Sequence, residues 1–184
     1  GPRIGVQFFG GSGYEVGDLA GADVYAYATS RGVAMGGTLP ALKGEVPSFI
    51  ATAAKDPVGA NLDRLQVIKG WVDEAGQTHE RVYNIAWSDG RELNPGGRLP
   101  PVENTVDLRT GDVDNRGGAE MLSAVWTDPD FNAAYSAFYY LRVLQIPTAR
   151  HSLLDAIALG METAEGHPDT IQERAYTSSI WYRP

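Results

Sequence analysis

The segment that decides the fold is Leu65-Gln-Val-Ile-Lys-Gly-Trp-Val72, followed by Asp73-Glu-Ala-Gly-Gln77 and then by Arg81-Val-Tyr-Asn-Ile-Ala-Trp87. The two outer runs are rich in β-branched and aromatic residues, which favour strands. The segment between them is polar and contains Gly76, which can adopt a left-handed backbone conformation. The pattern predicts an antiparallel β-hairpin with a loop of about five residues.

Further segments on both sides of the hairpin also predict strands. Each is a short run of β-branched or aromatic residues bounded by glycine or proline. These segments cover residues 3–9, 47–54, 106–108, 119–126, 138–146 and 173–182, and glycines 10, 11 and 13 are expected to end the first of them. Residues 22–29 are ambiguous, because Val24 and Tyr25 favour a strand whereas the alanines favour a helix.

One helix is predicted at residues 152–159, with Ser152 as a candidate N-cap and Gly160 as a natural C-cap. A parallel α/β sheet would need a helix between successive strands, which this sequence lacks. The sequence therefore predicts a mainly β fold, an antiparallel β-sandwich-like domain with one or two short helices. Its length is that of one domain, so residues 1–184 are expected to form a single domain.

Composition excludes several classes of function. The chain contains no cysteine, which rules out disulfides, thiolate zinc sites and cysteine nucleophiles. Its formal net charge is −8, so it lacks the basic surface that nucleic-acid binding requires. No apolar run approaches the roughly 20 residues of a membrane-spanning helix. We therefore expect neither nucleic-acid binding nor membrane insertion.

Acidic residues concentrate in the segment 101–135, which holds 7 of them against 2 basic residues. Its stretch Asp112-Val-Asp-Asn-Arg-Gly117 starts like a calcium-binding EF-hand loop, but Arg116 stands where an oxygen ligand belongs. Asp128-Pro-Asp-Phe-Asn132 fails the same comparison. The simpler interpretation is a solvated acidic edge made of turns, and cation binding in the region 107–130 stays an open alternative.

The histidines and serines offer no recognisable catalytic site. His79, His151 and His167 are far apart in the sequence, so no two of them have the spacing of a local metal-ligand pair. The nucleophile motif Gly-x-Ser-x-Gly does not occur. From the residues alone we predict no catalytic, cofactor-binding or metal-ligating residue in this chain.

The tryptophans leave two interpretations open. Trp71, Trp87, Trp126 and Trp181 all lie in predicted strands. Packing inside the core is the simpler interpretation. Two or three aromatic side chains lined up on one exposed face would instead form a platform for a carbohydrate or another ligand. Burial of all four tryptophans would remove most of the support for such a platform.

Taken together, a series of short segments is specific for one protein family. They are residues 1–4, 8–11, 32–37, 56–64, 67–71, 126–131, 137–143, 146–148 and 171–182, which read GPRI, FFGG, GVAMGG, DPVGANLDR, VIKGW, WTDPDF, AFYYLRV, IPT and IQERAYTSSIWY. In this order they resemble the C-terminal part of the bacterial domain-of-unknown-function family 3604, across essentially the whole chain. Two loops depart from the family pattern, since Ala34 replaces a proline and Ser12-Gly13 replaces a tryptophan.

The resemblance implies that residues 1–184 are a C-terminal fragment of a longer protein. Full-length members are several-fold longer, and their upstream part resembles the polymerase-and-histidinol-phosphatase (PHP) metal-dependent hydrolases. The upstream His-x-His motif has no counterpart here, so no metal residue carries over to this chain. The resemblance therefore implies no cofactor in this chain, a divalent metal in the full-length protein, and a periplasmic or extracellular location.

We therefore expect an accessory, structural domain that packs against the catalytic domain of the same polypeptide. Arg3, Gly32, Met35, Gly36 and Gly37 are the candidates for the interdomain face, because glycines let another backbone approach closely. Without its partner the chain should expose an apolar patch or self-associate. The alternative function is a carbohydrate- or other ligand-binding β-sandwich module. An independent enzyme would need a pocket with converging titratable groups.

Overall fold

Strands dominate the structure, a computed structural model that describes residues 1–21, 23–163 and 165–184. The strands of the described residues are β1 (Gly5–Ser12), β2 (Gly32–Ala34), β3 (Pro47–Ala54), β4 (Leu62–Val72), β5 (Thr78–Trp87), β6 (Met121–Thr127), β7 (Ala137–Gln145), β8 (Thr148–Ala149), β9 (Thr170–Ile171), β10 (Arg174–Tyr176) and β11 (Ile180–Tyr182). The helices are α1 (Val24–Arg31), α2 (His151–Leu159) and a 3₁₀ helix at Val16–Ala20.

The strands form two main antiparallel sheets and a two-stranded ribbon. The first sheet has the order β2-β1-β3-β6. The second sheet has the order β5-β4-β7, and β10 and β11 both pair with the remaining edge of β7. The ribbon consists of β8 and β9. The segment after β2 contacts the second sheet, since the amide of Leu39 donates to the carbonyl of Trp181 in β11 at 2.7 Å, before the chain returns to the first sheet in β3.

The core lies between the two main sheets. Along β7, Tyr139, Leu141 and Val143 are fully buried, while the residues that alternate with them are partly exposed. This period of two is typical of a strand with one face in a core. Phe49 of β3 meets Tyr139 across the gap, with the ring centroids 4.6 Å apart. The predicted fold class is therefore confirmed.

The predicted hairpin is also confirmed. Strands β4 and β5 pair from Val72 and Thr78 at the loop to Arg64 and Trp87 at the open end, with one β-bulge between. The connecting loop covers residues 73–77, and Gly76 has a φ of 75°, the left-handed conformation that the sequence suggested. The predicted strands at 47–54 and 138–146 correspond to β3 and β7.

Two strands differ from their predicted limits. Strand β1 continues through Gly10 and Gly11 to Ser12. The glycines do not end the strand, because their role is steric: a Cβ atom on Gly10 would lie 2.9 Å from the Phe49 ring. The predicted last strand is split into β10 and β11, since the three residues 177–179 stand opposite only two residues of β7, which is a bulge.

Within the ambiguous segment 22–29, residues 24–29 are helical and form most of helix α1. Ala22 lies outside the described residues. The N-cap of this helix is Asp23, whose Oδ1 accepts a hydrogen bond from the amide of Ala26 at 2.8 Å. Such a cap satisfies one of the amides that have no partner within the helix. The alanines therefore prevail over the strand preference of their neighbours.

Helix α2 begins at His151, so the prediction that Ser152 is its N-cap is wrong. The chain stays extended as far as Arg150, because the amide of Arg150 donates to the carbonyl of Asp169 at 2.8 Å and so continues the ribbon. At the other end, Gly160 has a φ of 62° and forms the predicted C-cap. Neither of the described helices combines the length and apolar character that crossing a membrane would require.

The outer face of the first sheet is covered by the chain itself. Phe9 of β1 and Ile50 of β3 point away from the core, yet both are buried. They pack with Tyr14, Ala28 and side chains of the 3₁₀ helix and α1. Among the described residues, α2 makes no comparable contact with the second sheet.

Candidate functional site

The outer face of the second sheet carries a row of aromatic side chains. Phe138 and Tyr140 alternate with the buried residues of β7 and so point outward. Trp181 of β11 stands beside Phe138, with ring centroids 5.5 Å apart, and Tyr176 of β10 lies 6.2 Å from Tyr140. We call Phe138, Tyr140, Tyr176 and Trp181 the aromatic face. Trp181 is 44% exposed and Tyr176 is 55% exposed.

A glycine beneath the aromatic face fixes the position of one ring. Gly70 of β4 is the register partner of Phe138, and a Cβ atom at Gly70 would collide with the Phe138 ring. The ring therefore lies directly over the backbone of β4. The ring of Tyr140 lies within 10° of parallel to that of Phe138, with the centroids 6.4 Å apart.

A groove of about 750 Å³ adjoins the aromatic face near the hairpin loop. Its walls include Val72, Phe138, Trp181 and the chain end at Pro184. His79 also lines it and lies 2.7 Å from Asp73, from its Nε2 to the carboxylate Oδ2. That hydrogen bond is the largest cause that lowers the pKa of Asp73.

A second candidate region lies at one end of the sandwich, around a buried lysine. The Nζ of Lys69 is 2.6 Å from the Oδ2 of Asp128, and these side chains are only 4% and 0% exposed. Lys69 also donates to the carbonyl of Asp130 at 2.8 Å. The hydroxyl of Tyr139 donates to the same Oδ2 of Asp128 at 2.8 Å. Burial followed by the charge of Asp128 raises the pKa of Tyr139, so this hydroxyl keeps its proton.

The carboxylate of Asp130 extends this cluster towards solvent. Its Oδ2 accepts hydrogen bonds from Arg81 and from the hydroxyl of Tyr83, both at 2.7 Å. Burial and the hydrogen bond to Asp130 raise the pKa of Tyr83. Beside the cluster lies a cavity of about 360 Å³, which we call the lysine pocket. Its walls include Lys69 and Trp71, whose ring centroid lies 5.2 Å from the Nζ of Lys69.

The comparison with protein families agrees with the resemblance seen in the sequence. A family model described as "Protein of unknown function (DUF3604)" matches residues 1–184. The chain belongs to this family. No curated protein and no solved structure matches the DUF3604 chain. The family description assigns no activity.

The DUF3604 chain brings four of the five predicted interdomain residues together. Gly32, Met35, Gly36 and Gly37 follow one another in β2 and the turn after it. The amide of Gly36 donates to the carbonyl of Ser179 at 3.0 Å. A Cβ atom at Gly32 would collide with the carbonyl of Gly10. These glycines therefore allow strands of the same chain to approach closely, and their role at an interdomain face stays a prediction.

The fifth predicted residue, Arg3, lies apart from the others. It precedes β1, whereas Gly32 pairs with Gly11 near the other end of that strand. The amide of Arg3 donates to the Oδ2 of Asp56 at 2.8 Å, and the Arg3 side chain is 84% exposed. A single interdomain face that includes both Arg3 and Gly32 would have to extend along most of β1.

The acidic segment does not form one solvated edge. Asp128 is buried against Lys69, so the sequence-based interpretation is wrong for this residue. Exposed members have basic neighbours: Asp114 lies 3.4 Å from Arg116, and Glu120 lies 3.7 Å from Lys55. In the described ranges, no three acidic or histidine side chains are grouped as metal ligands would be. Cation binding by this segment stays an open alternative.

The tryptophans divide between the two interpretations. Trp71, Trp87 and Trp126 are partly buried, and Trp71 and Trp126 pack against the core between the sheets. Trp181 stands on the aromatic face and is exposed. The sequence therefore identified one member of the exposed row. It missed Phe138, Tyr140 and Tyr176, whose shared face depends on the pairing of β7 with β10.

Proposed function

We propose that this DUF3604 chain is an accessory, non-catalytic domain that packs through its aromatic face against the catalytic part of a longer polypeptide. The observation that carries the proposal is the contrast between the two outer faces. The first sheet is covered by α1 and the 3₁₀ helix, while Tyr176 and Trp181 of the second sheet remain exposed and Phe138 and Tyr140 are only partly buried. Exposed aromatic patches of this kind are typical of protein–protein interfaces.

The proposed partner is the upstream part of the same polypeptide, which by family resemblance is a PHP-like metal-dependent hydrolase. In this proposal the divalent metal belongs to that upstream part, and the whole protein is exported to the periplasm or the cell exterior. Tryptophan and tyrosine are the residues most enriched among those that dominate binding energy at interfaces. In the absence of the upstream part, the aromatic face would pair with a second copy of the chain.

The test compares unfolding of the longer polypeptide with and without the aromatic face. We expect Trp181→Ser together with Tyr176→Ser to separate one cooperative urea transition into two, because the two parts no longer stabilise each other. The control is Tyr25→Ser, which removes an equally exposed tyrosine from helix α1. Unfolding that is identical in the double variant and the wild type would contradict the proposal.

A second candidate function is the binding of a carbohydrate chain on the aromatic face. It is favoured by the spacing of the rings, since Trp181, Phe138, Tyr140 and Tyr176 follow one another at 5.5 to 6.4 Å between centroids. Aromatic faces of this kind can stack against sugar rings. Retention of the 184-residue chain on insoluble cellulose or chitin, lost in Trp181→Ser, would favour this function over interdomain packing.

A further inference from the structure

The lysine pocket is separate from the aromatic face and has the dimensions of a ligand site. It lies where β4 and β7 meet the segment that follows β6, on the core side of the second sheet. Its volume is about 360 Å³. Pockets that bind small molecules range from about 300 to about 1,000 Å³, so this one has room for a single small ring.

Aromatic side chains make up half of the residues that line it. Trp71, Phe131, Tyr135 and Tyr139 all line the cavity. Two of them are held by neighbours outside it: Phe131 packs edge-on against Tyr182 at 4.9 Å, and Trp71 stacks on His79 at 5.1 Å. Rings that are fixed in this way can stack on a ligand without losing much conformational freedom.

Hydrogen-bond donors and hydrogen-bond acceptors also line the pocket. The ammonium group of Lys69 has three hydrogens, and the described residues accept two of them, through Asp128 and the carbonyl of Asp130. Asp130 and Asn132 also line the cavity, and both are exposed to solvent. The pocket therefore offers hydrogen-bond donors together with acceptors.

The charges around the pocket balance one another. Asp128 pairs with Lys69, and Asp130 pairs with Arg81 at 2.7 Å. An anionic ligand would find no unpaired cation in this set. Burying an ion pair is costly, and apolar residues of similar volume often serve a core equally well. The buried pair is therefore weak evidence for a purely stabilising role, and its ammonium member, Lys69, lines the cavity.

We infer that the lysine pocket binds a small, neutral, polyhydroxylated ligand of the size of one sugar ring. The apolar face of the ring stacks on the aromatic walls. Its hydroxyls donate to the carboxylate of Asp130 and accept from Lys69 and from the side-chain amide of Asn132. This inference does not rest on the proposed packing function, since the two sites lie on opposite faces of the second sheet.

The experiment is saturation-transfer NMR and calorimetric titration of the 184-residue chain. The probes are glucose, galactose, mannose and N-acetylglucosamine, with inorganic phosphate and acetate as anionic probes. We expect at least one sugar to bind and neither anion to do so. Tyr135→Ala should weaken that sugar about tenfold, because one stacked aromatic ring contributes on that order.

Two further variants keep the result interpretable. Asn132→Asp keeps the oxygen that accepts from the amide of Ala134 at 2.9 Å and replaces the amide donors by a negatively charged carboxylate oxygen, so it should fold and still weaken binding. Trp181→Ala removes a ring of the aromatic face and should leave the affinity unchanged. The inference is overturned if no sugar binds, if phosphate or acetate binds as tightly, or if Trp181→Ala abolishes binding while Tyr135→Ala and Asn132→Asp do not.

Discussion

The outer faces of the two sheets carry similar apolar side chains in different surroundings. On the first sheet, Phe9 and Ile50 point outward and are buried beneath the 3₁₀ helix and α1. On the second sheet, Tyr176 and Trp181 point outward and remain about half exposed. The comparison teaches that the chain completes one side of its sandwich and leaves the other available for a partner, which is the basis of the proposed packing function.

The difference is one of free energy as well as geometry. Burying a large apolar side chain contributes about 1.5–3 kcal/mol. On the first sheet this contribution already stabilises the chain by itself. On the second sheet, part of it is gained only when another surface covers the aromatic face. Substitutions on the two faces should therefore affect different measurements.

The largest expected loss of stability follows from a substitution on the covered outer face of the first sheet. Ile50→Ala should lower the free energy of unfolding of the 184-residue chain by about 2–5 kcal/mol, because it leaves a cavity at a fully buried position. Val82→Ala removes methyl groups from a side chain on the second sheet that is 41% exposed, and should cost about 0.5 kcal/mol or less. Urea denaturation measures both. Equal losses would mean that the two faces do not differ as described.

The next largest loss of stability tests whether the Phe138 ring already lies on the backbone of β4 in the isolated chain. Gly70→Ala should destabilise the chain by about 1–3 kcal/mol, since the added methyl group collides with the Phe138 ring. Gly17→Ala is the matched control, because nothing lies within 4 Å of its added Cβ atom. Thermal unfolding measures the stability of both variants. If the Gly70→Ala protein is as stable as the Gly17→Ala control, the Phe138 ring is free to move.

A smaller effect on stability is expected on the aromatic face itself. Trp181→Ser should change the free energy of unfolding of the isolated chain by less than about 1 kcal/mol, because the indole is already partly in water. It should nevertheless lower self-association in sedimentation velocity, while Tyr25→Ser leaves it unchanged. If both variants sediment like the wild type, the aromatic face does not mediate contact between copies.

The smallest expected effect is a pH dependence of stability that comes from Asp73, the partner of His79 in the groove wall. The hydrogen bond with His79 lowers the pKa of Asp73 in the folded state. The stability that Asp73 contributes is therefore present above its unfolded pKa of about 3.9 and is lost as the pH falls through the lower folded value. Asp73→Asn removes this titration, so wild type should lose more stability than the variant between about pH 5 and about pH 3. Parallel curves in urea denaturation would contradict this.

The sequence was sufficient for the parts of the fold that local patterns determine. The hairpin of β4 and β5 followed from two strand-forming runs around a glycine-containing loop, and β7 followed from its aromatic and β-branched residues and from Pro147 after it. The limits of β1 did not follow, because Gly10 makes room for the Phe49 ring, and a ring that is distant in sequence leaves no local signal.

The candidate sites were less accessible to sequence analysis for the same reason. Lys69 and Asp128 are far apart in the chain and meet only after β4 and the segment after β6 come together. One signal was present in the sequence but was not used: Lys69 stands between Val67 and Trp71 at a spacing of two residues, so it lies on the same strand face, and a cation on a core face needs a partner. The aromatic face had no such signal, since whether another element covers a sheet face is a property of the tertiary structure.

The central claim is that another part of the same polypeptide covers the aromatic face. Hydroxyl-radical footprinting of Trp181 and Tyr176 tests it most directly, in the longer polypeptide and in the 184-residue chain at a concentration where the latter is monomeric. Tyr25 on α1 serves as the internal reference. The account predicts that Trp181 and Tyr176 are oxidised several-fold more slowly in the longer polypeptide while Tyr25 is unchanged. Equal oxidation of Trp181 in both proteins would contradict it.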